Sequence, residues 1–229
     1  VCELMQEKSA VIHNIREIKN AVEGKLGAEQ LEIKPSAQKL LDEGEDEDEL
    51  FQASTVKGRE IKQSGQQFNP QLSKNFRREL KDFQKMSVEH MIQVGNVANF
   101  SVPGSGKTTM TYAALSKSLE DKTIEKILVI GPTASFVPWQ EEYEACFGKP
   151  EKRAIIVRGE YARDFSKIGE FSDLFLMHFQ TAWPRIDEIK LFFQKWKTAL
   201  IIDESHNIKN PNLEKKWNTM ALAISKEAK

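Results

Sequence analysis

The sequence predicts an α/β protein: a mostly parallel sheet covered by helices on both faces, preceded by a helical N-terminal segment. Short apolar runs at residues 97–102, 126–130, 154–157, 174–179 and 199–203 alternate with stretches of helical periodicity that begin near Gly106, Ala134, Tyr161 and Pro184. Strands that alternate with helices imply βαβ units, and a sheet built from them is parallel and covered on both faces. This texture starts at Pro70; the residues before it read differently.

Near the N-terminus, Val11, Ile15, Ile18 and Val22 recur at intervals of four, three and four, with Leu4 and Leu26 on nearly the same face. That spacing predicts an amphipathic helix. The heptads do not persist, so packing on a neighbouring domain is favoured over a coiled-coil seam. Residues 42–49, DEGEDEDE, place seven acids in eight positions. Such a block repels itself and resists packing, which predicts a solvated linker; an acidic mimic of nucleic acid is the alternative. The expected division is a helical segment at 1–41, an acidic flexible linker at 42–69, and an α/β lobe at 70–229.

The chain has 229 residues, 40% of them hydrophobic and 29% charged, enough for one sizeable core and a solvated surface. No run of 18 or more apolar residues occurs, so no membrane span is expected. Residues 1–50 carry 13 acids against 6 bases and the remainder 21 against 27, a positive balance compatible with a polyanionic partner. Cys2 and Cys146 have no metal-ligand spacing and suggest no disulfide framework, which points to a reducing, intracellular compartment. The start, Val1-Cys2-Glu3-Leu4, lacks an initiator Met and a signal-peptide pattern, and reads as a piece of a longer chain.

Residues 101–108, SVPGSGKT, follow an expected strand and open an expected helix, the context of a P-loop. Pro103, Gly104, Ser105 and Gly106 would bend backbone N–H groups around a phosphate, and the helix start adds its positive dipole end. Lys107 would reach the β- and γ-phosphates of ATP and the Thr108 hydroxyl would ligate Mg²⁺. Thr109 completes the candidate cradle, although packing or capping suits it as well. Ser101 stands where the strict pattern has Gly.

A second motif lies at residues 198–206, TALIIDESH, a buried-strand run ending in two carboxylates. Asp203, at the carboxyl end of the strand, would hold Mg²⁺ directly or through water, and Glu204 would orient and deprotonate the attacking water. Ligands of open α/β sheets sit beyond the carboxyl ends of the strands, where both motifs fall. Catalysis is therefore expected from Lys107, Asp203 and Glu204.

Over residues 80–210 the chain resembles superfamily 2 helicases, and within them the Swi/Snf-like DNA translocases. Leu80-Lys81-Asp82-Phe83-Gln84 is similar to the segment that precedes the family's P-loop, SVPGSGKT and IIDESH to its motifs I and II, Ile130-Gly131-Pro132 with Trp139 and Glu142 to its P…W-x-x-E helix, and Leu176-Met177-His178-Phe179-Gln180-Thr181 to a further motif on a strand before a helix. Val102, Pro103, Ser105 and Met110 depart from the usual residues, and the interval from Gln84 to Lys107 is short, which suggests a divergent, prokaryotic member. The resemblance implies a RecA-like three-layer α/β/α lobe in which Gln84 reads adenine and His206 couples the nucleotide site to the next motif. It implies nucleic acid, DNA favoured, as a partner, and a second RecA-like lobe in the same full-length chain that supplies an arginine finger. By itself this piece should then be nearly inactive. Other superfamily 2 enzymes, restriction-type or RNA helicases, and an inert scaffold lobe are the competing readings. Nucleoid or nucleus is the expected location. Trp139 reads first as a core residue, Pro132 and Thr133 as a turn or a phosphate contact, His178 and Phe179 as packing or nucleic-acid track, and Arg77, Arg78 and Lys81 as a solvated basic cluster.

Overall fold

The computed structural model describes residues 12–21, 33–39, 41–42, 49, 52–53, 55–56, 59–60, 68–205 and 214–228. The chain divides into two compact units, Val1–Ser64 and Gly65–Lys229. In the first, residues 12–21 are helical, with Ile12 buried and Ile15 half-buried, whereas Ile18 is 62% exposed and off the expected apolar stripe. Leu4, Val11, Val22 and Leu26, and all of the acidic block but Asp42 and Glu49, lie outside the described residues.

In the second unit, helix α1 (Asp82–Val94) is followed by α2 (Lys107–Glu120), strand β1 (Lys126–Gly131) and α3 (Phe136–Phe147). Next come β2 (Ile155–Val157), the short α4 (Glu160–Arg163), β3 (Leu174–His178), the short α5 (Phe179–Ala182), α6 (Ile186–Lys195), β4 (Thr198–Ile202) and α7 (Glu214–Ser225). The described sheet has four strands in the order β2-β3-β1-β4. All pairings are parallel, with Val129 beside Leu176 on one side and Ile201 on the other.

Alternation along the strands makes two buried layers. Ile127, Val129, Leu174 and Leu176 pack with Tyr112 of α2 and Phe136, Trp139 and Cys146 of α3. On the opposite face Phe175 meets Phe192 of α6 and Phe165 of the 3-10 segment Phe165–Phe171, two rings that stack on each other at 4.3 Å. Helices on both sides of a parallel sheet give the expected three layers, and β1, buried at every residue, is the spine. A separate cluster of Leu80, Val88, Met110 and Ala113 joins α1 to α2. Met110, one of the departures from the family pattern, is thus a fully buried packing residue there.

One expectation fails. Residues 97–102 form no strand; they run irregularly, with Phe100 and Val102 exposed at 77% and 72%, so the described sheet has no strand from the P-loop and β4 lies at its edge. Local bonds engage backbone groups at the end of this run. Asn99 Oδ1 accepts from Ser101 N at 3.0 Å, Lys107 Nζ donates to the carbonyls of Ser101 at 2.8 Å and Val102 at 3.5 Å, and Ser105 N donates to Val102 O. Such local bonds compete with sheet pairing.

Candidate nucleotide-binding site

The loop at 103–106 enters α2 through two glycines in the left-handed region, Gly104 at φ 78° and Gly106 at φ 81°. A Cβ on Gly106 would also come within 2.6 Å of the Gln84 carboxamide nitrogen, so this position requires glycine on two counts. Lys107 opens the helix and turns its ammonium back onto the loop carbonyls. Ser105 Oγ is buried without a hydrogen-bond partner, an orphan polar atom in the loop. Such atoms call for a further partner, and an anionic ligand over glycines at a helix start fits that need.

Gln84 is buried and faces the loop. Its amide nitrogen donates to Ser105 O at 2.9 Å, while its Oε1 accepts from Lys81 N at 2.9 Å and so closes the first turn of α1. The side chain thus braces the phosphate loop against α1, a contact that its sequence context alone did not announce.

Asp203 continues β4 by one residue, its N–H donating to Ile130 O at 2.9 Å. Its Oδ1 accepts from the N–H of Glu204 at 2.9 Å and its Oδ2 from the indole nitrogen of Trp139 at 2.9 Å. Glu204 is exposed and held at φ 51°, a left-handed conformation rare for a residue with a Cβ. The chain at Gly131 passes so close that a Cβ there would lie 2.9 Å from Asp203 Cβ.

Helix α3 connects the two motifs. Three residues after Trp139, Glu142 accepts from Thr109 Oγ1 at 2.7 Å and from the Arg78 guanidinium at 3.2 and 2.9 Å. Burial works against the Glu142 charge, but the bonds from Thr109 and Arg78 outweigh it and hold its carboxyl below the usual glutamate range. Thr109 therefore faces α3, in keeping with its packing role, and Arg78 is committed to an ion pair rather than only to solvent. Cys146, also in contact with Glu142, has its thiol pushed up to about 12, chiefly by burial.

Of the other residues singled out, Trp139 is in the core, but its N–H reaches Asp203, which no sequence pattern signalled. Thr133 is exposed in a tight turn closed by Ser135 onto Pro132 O. Phe179 is buried and stacks on Trp217 at 5.0 Å, and His178 Nδ1 accepts from Gln180 N at the start of α5. His206 lies outside the described residues. Among the described residues no group of three His, Cys, Asp or Glu could hold a metal, and no helix is long and apolar enough to cross a membrane.

Fold and motifs together define the class: a RecA-like α/β lobe, its phosphate loop at a helix start and its paired carboxylates at the end of a parallel strand. The chain belongs to the family described as "Type III restriction enzyme, res subunit", which matches residues 66–228. It is also similar to the SWI2/SNF2 ATPase core of Sulfolobus solfataricus, solved in complex with double-stranded DNA, at 25% identity and a TM-score of 0.52. That match covers 72% of this chain and 32% of the other, so the chain spans about a third of that relative. No curated protein matches it. The Swi/Snf-like superfamily 2 lobe implied by the motifs is what these likenesses support.

Proposed function

We propose that the lobe binds ATP with Mg²⁺ and, in the complete protein, drives a nucleic-acid-dependent motor that moves along duplex DNA. The observation that carries the reading is one helix, α3, joining the P-loop helix through Glu142 and Thr109 to the acidic motif through Trp139 and Asp203. Lys107 would exchange its loop carbonyls for the β- and γ-phosphates, with Gly104, Ser105 and Gly106 cradling them and Pro103 shaping the turn. Thr108 and Asp203 would hold the metal; magnesium is commonly bound by one or two carboxylates together with substrate phosphates, which suits this donor set. Bound there, it supplies neutralisation of phosphate charge. Glu204 would orient the attacking water and take its proton.

Gln84 has one amide N–H and one oxygen lone pair beyond its two bonds, which suffices for adenine recognition alongside its bracing of the loop. A second RecA-like lobe would add the arginine that stabilises charge in the transition state, worth roughly 10³–10⁵ in rate. Duplex DNA is favoured because the similar SWI2/SNF2 core was solved on it. The family description favours a second reading, the same motor within a restriction enzyme. The test is ATP turnover by the complete protein with duplex DNA, single strands and RNA. Stimulation by duplex supports the proposal; stimulation by RNA alone, or turnover indifferent to nucleic acid, overturns it.

A further inference from the structure

We propose that Trp139 is a positioning residue for the metal-binding carboxylate: its indole N–H sets the orientation of Asp203. The inference rests on the reading of Asp203 as a Mg²⁺ ligand and adds to it a residue from a different element, 64 positions away.

The indole has little freedom of its own. Trp139 is 4% exposed on α3, its ring meets Tyr112 edge-on at 5.2 Å and 85°, and its backbone carbonyl accepts from the Tyr112 hydroxyl at 2.9 Å. A side chain locked by packing in this way directs its single donor along a fixed line. That donor ends on Asp203 Oδ2 at 2.9 Å, a bond to a group that carries charge when ionised and is correspondingly strong. The other oxygen, Oδ1, accepts from Glu204 N, and the backbone of Asp203 is tied to Ile130 O. With one donor on each oxygen and the backbone anchored, the carboxylate plane is set before any metal arrives.

A carboxylate has about four acceptor sites, so these two bonds leave lone pairs for a cation. Groups that orient a metal ligand in this manner typically contribute 10–100-fold to metal affinity or activity when removed. A tryptophan serving only as core filler predicts loss of stability without any selective effect on the metal. The two roles therefore separate by what is measured.

The experiment uses the complete protein and follows nucleotide binding as Mg²⁺ is titrated, with binding in excess chelator as the metal-free reference. Trp139→Phe should raise the Mg²⁺ concentration needed for half-maximal binding by roughly 10-fold and leave the metal-free affinity within about 2-fold. Phe192→Leu removes ring packing from the core on the opposite face of the sheet and should lower Tm without moving the Mg²⁺ midpoint. In the wild type, the emission attributable to Trp139, taken by difference from Trp139→Phe, should change with Mg²⁺ at fixed nucleotide. If Trp139→Phe folds poorly, benzothienylalanine at position 139 keeps the two-ring shape, replaces the N–H by sulfur and carries the same test. An unmoved Mg²⁺ midpoint in the N–H-less proteins, while Asp203→Asn shifts it, overturns the role of Trp139 alone. An unmoved midpoint in Asp203→Asn overturns the reading of Asp203 as a metal ligand.

Discussion

Replacing Gly131 by alanine adds one methyl group where the end of β1 faces Asp203, the residue that follows β4. The new Cβ would lie 2.9 Å from Asp203 Cβ, 3.3 Å from Ser135 Oγ and 3.6 Å from Asp203 Oδ2. Ser135 can rotate away, although it gives up its bond to Pro132 O. Asp203 Cβ cannot, because it is one bond from a backbone whose N–H is paired with Ile130. Gly131 itself is held in register against His178 of β3. Relief must therefore come from the end of β4, which lies at the edge of the described sheet. Overpacking of this kind costs about 1–3 kcal/mol. For a lobe of this size each kcal/mol corresponds to roughly 2–4 °C in Tm. Differential scanning calorimetry on Gly131→Ala should show a drop of that order, together with weaker Mg²⁺-dependent nucleotide binding because Asp203 is pushed off its line. A wild-type Tm combined with a wild-type Mg²⁺ midpoint would refute the argument that this glycine is required by the approach of Asp203.

Further expectations follow from the same geometry. Lys107→Ala should weaken ATP binding, whereas Glu204→Gln should bind ATP and turn it over about 10²–10⁴-fold more slowly; equal turnover of Glu204→Gln and wild type in a steady-state ATPase assay removes Glu204 from the mechanism. Glu142 has its carboxyl held low, so its contribution is complete above the ordinary glutamate value of 4.5 and fades as pH falls through the folded value. Glu142→Gln should thus cost about 1 kcal/mol at neutral pH, with Tm curves of mutant and wild type converging in acid; a constant gap down to pH 2 contradicts this. If residues 42–69 form a flexible linker, limited proteolysis should cut there first and spare the lobe from Pro70 onward, and the reverse pattern would sink that division.

The three strands at 126–131, 174–178 and 198–202 were legible because strands of a parallel sheet are buried on both faces and read as unbroken apolar runs. The helix starts were legible from Gly106 and from the change of period after Gly131. Residues 97–102 have the same apolar look, but Asn99 and Lys107 engage the backbone of Ser101 locally, and apolarity carries no record of that. In the site, the order P-loop then Asp-Glu was visible as a motif pair. The links between them were not: Trp139 to Asp203 and Glu142 to Thr109 join residues 64 and 33 positions apart, and each of the four has a sufficient local explanation as core, cap or surface. At Gln84 the motif context points to a ligand and carries no record of the two bonds by which the side chain also ties protein to protein.

The backbone at Glu204 sets stability against use. A left-handed residue with a Cβ costs on the order of 1 kcal/mol relative to glycine, and asparagine tolerates the same geometry better than glutamate does. Selection for a tougher protein would therefore drift this position toward Gly or Asn, and both changes discard the carboxylate. β-Branched residues would be excluded outright. Anyone thermostabilising this lobe by screening for heat resistance alone should expect position 204 among the gains, and should leave it alone.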